Sequence, residues 1–196
     1  MKERPHTHLI ESARSIAAAI VSECNKRFAF FGHSMGAMLS FEITRCLREQ
    51  YGRKPEQIFV SGRRAPHLPK TEPQTYDLPE DEFIEELRRI EGTPEAVLNN
   101  EELLQLYIPV LRADFQACQT YFYEEGPPLD CPIVAYCGTE DEEENVETMD
   151  AWREQTSKSF KLYKIPGNHF FIHENESALL QSLSEEIGLL INAPAW

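Results

Sequence analysis

The five residues Gly32-His33-Ser34-Met35-Gly36 constrain this chain more than any other stretch. They follow the apolar run Phe28-Ala29-Phe30-Phe31 and precede a segment whose Leu39, Ile43, Cys46 and Leu47 share one helical face. The apolar run reads as a buried strand, and the periodic segment as a helix that stops near Tyr51-Gly52. A G-x-S-x-G turn between strand and helix lifts the serine side chain out of a sheet. The helix N-terminus beneath it favours developing negative charge. Such a pattern arises by chance in roughly 7% of chains of this length. The strand before it and the helix after it make coincidence much less probable.

A serine hydroxyl is a weak nucleophile at neutral pH and needs an adjacent base. In a strand–turn–helix setting of this kind the acid and then the histidine follow the serine along the chain. Gly138-Thr139-Glu140-Asp141 comes directly after the strand-like Ile133-Val134-Ala135-Tyr136-Cys137. Asp141 is thereby expected at a strand's carboxyl end, where catalytic groups gather in open α/β sheets. Glu140 and Glu142 are rival acids, and the acidic run over 140–144 also reads as a solvated loop. Gly167-Asn168-His169-Phe170 follows the alternating stretch Phe160–Ile165, which makes His169 the expected base and His173 its close rival. His6 and His8 lie near the chain start, His33 sits inside the turn, and His67 precedes the acid. In this reading Ser34 attacks an acyl carbonyl and His169 takes its proton. Asp141 fixes the imidazole, and the Met35 amide is the oxyanion donor.

The remaining elements give the fold class. Leu9, Ala13, Ile16 and Ile20 place an amphipathic helix over residues 8–24, and Ile58-Phe59-Val60 is a second buried strand. Residues 66–80 hold four prolines and read as a loop. From Asp81 to Tyr123 the pattern is helical, with breaks expected at Gly92-Thr93-Pro94 and at Pro109. A last helix carries Leu179, Leu180, Leu183, Ile187 and Leu190. Strands alternating with helices imply an α/β fold on a parallel sheet. The architecture expected is an α/β-hydrolase, a mostly parallel sheet flanked by helices with an inserted helical lid. With 196 residues it is one domain, 1–196, with a core of 1–74 and 124–196 and a lid of 75–123.

Composition narrows the partners. Nineteen basic against 33 acidic residues, a net charge of −14, argues against nucleic acid or an anionic membrane. No apolar run reaches the ~20 residues of a membrane helix, and Met1-Lys2-Glu3-Arg4-Pro5-His6 lacks a secretory pattern. The five cysteines form no Cys-x-x-Cys pair and no metal-ligand pattern with histidine, so reduced thiols in a cytoplasmic protein without a metal are expected. Arg63-Arg64 follows a strand end and could meet an acidic partner, although such a pair is more often solvated.

Several segments together resemble the type II thioesterases, stand-alone α/β-hydrolases that serve fatty acid, polyketide and nonribosomal peptide synthases, a group that includes the medium-chain acyl thioesterase. They are Phe28-Ala29-Phe30-Phe31-Gly32-His33-Ser34-Met35-Gly36-Ala37, Gly92-Thr93-Pro94, Pro109-Val110-Leu111-Arg112-Ala113-Asp114-Phe115, Met149-Asp150-Ala151-Trp152 and Pro166-Gly167-Asn168-His169-Phe170-Phe171. The resemblance implies hydrolysis of acyl thioesters carried on the phosphopantetheine arm of an acyl or peptidyl carrier domain, or on coenzyme A, with no cofactor of the enzyme's own. It places catalysis on Ser34, Asp141 and His169. It makes 75–123 a lid over an acyl channel, for which Phe83, Ile84, Leu87, Leu103, Leu104, Leu106 and Ile108 are candidate lining residues. Other readings are a carboxylesterase acting on oxygen esters, and an impaired protein that binds carrier domains or acyl chains. The last follows from a departure: family members begin with further strands and a Gly-rich loop that gives a second oxyanion donor. Met1 here falls just before the helix leading to the serine turn. A late start codon, a shortened isoform and a degenerate copy are the competing expectations. Loss of one such donor typically costs about 10²–10³ in rate.

Overall fold

The computed structural model describes residues 5–71 and 73–192. The two ends of the expected 1–196 domain, including Met1–Arg4, and Glu72 of the proline-rich loop lie outside the described residues. Four parallel strands, β1 (Ala29–His33), β2 (Gln57–Ser61), β3 (Ile133–Gly138) and β4 (Phe160–Ile165), form one sheet in the order β1-β2-β3-β4. The register pairs Phe31 with Phe59, Phe59 with Val134, and Val134 with Lys161.

The period-two alternation of strand side chains separates two hydrophobic layers. Ile58, Val60, Ile133, Ala135 and Cys137 face helices α1 (Leu9–Ile20) and α2 (Met35–Tyr51), together with Met149 and Trp152. Phe59, Val134 and Tyr136 face the opposite way, onto Phe171 and the helix Glu176–Asn192. Both β2 and β3 are buried throughout, as their unbroken apolar runs require in a sheet covered on two faces. An α/β-hydrolase core with helices on both sides of a parallel sheet is therefore what the chain builds.

Several elements differ from the sequence reading. β1 lies at the sheet edge among the described residues, and Phe31 is 43% exposed, so this apolar run is not a fully buried strand. Helix α1 ends at Ile20 and a 3-10 turn, Glu23–Asn25, takes over. Its buried face is Leu9, Ala13 and Ala17, with Ile16 exposed, because 3.6-residue periodicity selects i, i+4 and i+8 here rather than i+7. Gly52 does cap α2, in the left-handed conformation at φ 61°. In the helix Glu176–Asn192, Leu179 is buried and Leu183 and Leu190 pack on the sheet, whereas Leu180 and Ile187 are exposed.

Between β2 and β3 stand three helices, α3 (Glu80–Ile90), α4 (Glu95–Leu98) and α5 (Glu101–Thr120). Gly92-Thr93-Pro94 separates α3 from α4 as expected, but Pro109 lies inside a continuous α5. Proline there removes the bond to the carbonyl four residues earlier. Both Pro109 and Gln105 are exposed, so that carbonyl can be met by water and the ring has room. These helices share a small core of Phe83, Leu87 and Leu98 with Leu104, Leu111 and Phe115 around it.

Candidate active site

The turn between β1 and α2 carries Ser34 at φ 53°, ψ −117°, a left-handed backbone that side chains rarely adopt. The strain rests on the serine itself, and neither Gly32 nor Gly36 has a positive φ. Gly32 serves close packing instead. A Cβ there would lie 2.0 Å from the Gly36 carbonyl oxygen, so only glycine lets the strand pass this close under the helix. The Ser34 amide donates to the Ser61 carbonyl at 2.8 Å, which ties the turn to β2. Met35 opens α2, and amides in a first helical turn have no partner within the helix.

Across from this turn, His169 Nδ1 lies 2.9 Å from Asp141 Oδ2. The aspartate side chain is 0% exposed. Its other oxygen, Oδ1, accepts the amides of Glu143 at 2.9 Å and Glu144 at 3.0 Å. Burial pushes the Asp141 carboxyl up, but the His169 hydrogen bond and charge, helped by these two amides, hold it below the usual carboxylate range. Burial likewise pushes His169 down, and its Asp141 bond and the carboxylates beyond it more than reverse this, leaving its pKa raised. With Nδ1 turned to Asp141, Nε2 is the nitrogen left for the cavity side. Of the rival residues, Glu140 and Glu142 are exposed, and His173 stacks on Phe170. His67 pairs with Gln155 at 2.8 Å.

Ser34, Met35, Gly36, His33 and His169 line a single cavity of about 350 Å³. The structure therefore brings Ser34, Met35 and His169 to one space, with Asp141 behind the histidine. His33 stands beside His169, ring centroids 5.0 Å apart, and hydrogen-bonds Ser61 Oγ at 3.0 Å. Burial, and then the neighbouring His169, pushes His33 down to about 4, so it stays neutral where His169 titrates.

Three supporting features escaped the sequence reading. Gly62 has φ 56°, and a Cβ there would lie 2.6 Å from the His33 ring and 3.3 Å from that of His169. Arg64, expected to meet an acidic partner or to lie solvated, is a brace: its Nε meets both Glu144 carboxylate oxygens at 3.1 Å and its Nη2 donates to the Glu143 carbonyl at 3.0 Å. Glu144 is 1% exposed and also accepts from Thr148 Oγ1. The cavity's helical wall is the third. Of the seven candidate lining residues Leu87 lines it, while Phe83 and Leu104 pack in the small core and Leu106 is exposed. Ile90, Leu111, Asp114, Phe115 and Cys118 also line it. The lining positions were misplaced because a helix face shared between a core and a cavity has one periodicity for both. Gly92 admits the Phe170 ring, which a Cβ would meet at 2.8 Å, so the α3–α4 hinge rests on the loop that carries His169.

Comparison with known proteins gives a consistent picture. A family model described as a thioesterase domain matches residues 1–187. The gramicidin S biosynthesis protein GrsT of Aneurinibacillus migulanus is 39% identical over 189 residues, covering 96% of this chain and 74% of that protein. The linear gramicidin dehydrogenase LgrE of Brevibacillus parabrevis is 46% identical over 178 residues, with 89% of this chain and 68% of that one covered. Among solved structures, the RedJ thioesterase of the prodiginine pathway in Streptomyces coelicolor superposes with a TM-score of 0.86 at 36% identity, covering 94% of this chain and 74% of its own.

Proposed function

This chain belongs to the thioesterase family, and from that premise we propose that it hydrolyses acyl thioesters presented on the phosphopantetheine arm of a carrier domain in fatty acid, polyketide or nonribosomal peptide synthesis. The observation that carries the reading is the buried Asp141–His169 pair opening on the same cavity as Ser34. His169 Nε2 takes the Ser34 proton as Oγ attacks the thioester carbonyl. The tetrahedral oxyanion forms toward the Met35 amide, and collapse expels the thiol, which receives the proton back from His169. A water molecule then repeats the sequence on the acyl-serine, releasing the free acid. Asp141 keeps Nδ1 protonated and stabilises the imidazolium throughout. Phosphopantetheine belongs to the substrate, and the steps use otherwise only water and the chain's own groups.

The name of one relative refers to dehydrogenation. Here the turn after β1 holds a strained serine facing a histidine, a geometry suited to acyl transfer rather than to cradling a dinucleotide. Helices α3–α5 act as the lid of the acyl channel. The buried thiols Cys24, Cys46, Cys131 and Cys137 support a reducing, cytoplasmic setting.

The test compares turnover of acyl-N-acetylcysteamine, acyl-coenzyme A and p-nitrophenyl esters, alongside labelling with a fluorophosphonate. Thioester preference with labelling at Ser34 is the expected result. Preference for oxygen esters points instead to a carboxylesterase, and absence of labelling in the folded chain to a binding role.

A further inference from the structure

Asp141 fixes the base at one point only. Its hydrogen bond to His169 Nδ1 at 2.9 Å tethers the ring but does not set the plane that the ring adopts around that bond. Packing sets the plane. A Cβ on Gly62 would stand 3.3 Å from the His169 ring. His33 lies beside it, ring centroids 5.0 Å apart at 49°, and is itself tied to Ser61 at the end of β2. Phe170 meets the imidazole edge to face, at 5.1 Å and 88°. Aromatic pairs favour this geometry, so the contact holds an orientation and not only a separation.

Gly62 and His33 belong to the strand ends, whereas Phe170 also reaches the helices. The tip of its ring lies so close to Gly92 that a Cβ there would meet it at 2.8 Å. Gly92 does not have a positive φ, so the approach of the ring, not the backbone, is what calls for glycine. The turn is itself fixed to the helices on either side. Glu91 closes α3 at φ 59°, its amide donating to the Arg88 carbonyl at 3.2 Å. The Pro94 carbonyl accepts the amides of Val97 at 2.8 Å and Leu98 at 3.2 Å, and Leu98 sits in the small core with Phe83 and Leu87. On the loop side the Phe170 amide donates to Asn168 Oδ1 at 2.7 Å and the ring stacks on His173. An unbroken line of contacts thus runs from the helical core through Gly92 and the Phe170 ring to the imidazole of the base.

We propose that Phe170 is a positioning residue that couples the α3–α4 turn to the base. With the helices seated, Gly92 bears on the ring, and the ring holds the His169 imidazole in the plane that turns Nε2 to the cavity containing Ser34. The seating of the substrate wall thereby enters the turnover step. This rests on the reading of Ser34 and His169 as the reacting pair. Contact alone does not establish coupling, and a double-mutant cycle between Gly92→Ala and Phe170→Ala measures it. The readouts are the rate constant for labelling Ser34 with diisopropyl fluorophosphate, and kcat and KM for the acetyl thioester of N-acetylcysteamine. The reagent requires an activated serine and carries no acyl chain, so its rate reports the base rather than binding along the helices. Loss of folded protein lowers the final extent of labelling and not the rate constant. Phe170→Ala should slow labelling and lower kcat by about 10- to 100-fold, with KM changed by less than about threefold, the cost expected when a catalytic group is misplaced by about 1 Å. Gly92→Ala adds only a methyl group against the ring and should slow both by about 10-fold. In the Phe170→Ala background the same methyl should change either rate by less than about twofold, because residues acting through one contact are not additive. Phe170→Leu takes the place of Phe170→Ala if that variant does not fold. Effects that multiply, a Gly92→Ala rate equal to that of the unaltered chain, or a change confined to KM overturns the coupling while leaving the hydrolase intact. Failure of the unaltered, folded chain to be labelled at Ser34 overturns the reading of the reacting pair instead.

Discussion

The loop over 139–145 that delivers Asp141 and the helical segment over 80–120 border the same cavity but are held in different ways. The loop is anchored to the strands: the Thr139 amide donates to Ile165 and that of Glu140 to Gly167, both at 2.9 Å. Arg64 then locks Glu143 and Glu144 from the β2 side. The helices keep a core of their own around Phe83, Leu87 and Leu98. Gln119 and Arg112 tie them to residues 75 and 76, and Arg89 approaches Glu143 of the loop at 3.9 Å. Long-range bracing thus holds the loop, while the helices are held mainly by a core of their own.

The severest way to break the comparison is at the nucleophile. Ser34→Ala should lower kcat for thioesters by about 10⁴–10⁶-fold and abolish fluorophosphonate labelling, with the melting temperature little changed. Asp141→Asn should cost about 10⁴-fold. Its pH profile is the sharper readout, because the base must be neutral and the Asp141 contact raises the His169 pKa. Activity of the unaltered chain should therefore rise with pH through a value above the ordinary ~6.5, and the variant's acid limb should move to lower pH.

Arg64→Ala tests the brace. It leaves Glu144 buried without its cation, and urea unfolding should show a global loss of about 3–5 kcal/mol. Leu98→Ala is the counterpart in the helices, about 2–4 kcal/mol by cavity formation, and its effect should be local. Hydrogen exchange should quicken over 80–120 while the amides of 139–145 keep their protection. Equal quickening in both regions would mean that they unfold as one unit. The smallest effect is on stability against pH. Asp141 is lowered, so its contribution is present above ~3.9 and lost as pH falls through the folded value. His169 is raised, so its contribution is fully present below ~6.5 and lost as pH rises through the folded value. Asp141→Asn should lower the plateau between these limits and remove the slopes outside them, below ~3.9 and above ~6.5.

Much of this arrangement was legible in the residues. Ser34 and Asp141 each follow an apolar run ended by glycine, His169 follows an alternating stretch ended by Pro166-Gly167, and strand ends are where a parallel sheet presents chemistry. What stayed hidden depends on partners distant in the chain. Arg64 and Glu144 stand 80 positions apart, and nothing in either local pattern names the other. The exposure of Phe31 depends on what lies beside β1, and periodicity cannot distinguish an edge strand from a central one. Pro109 misled because breaking a helix depends on which face the ring occupies.

The strands stand in space in the order in which they are made. The serine turn follows β1, the bracing arginine follows β2, the acid follows β3 and the base follows β4. During synthesis Ser34 therefore emerges before the strand that leads to His169, and the cavity that both line can close only after β4 has been made.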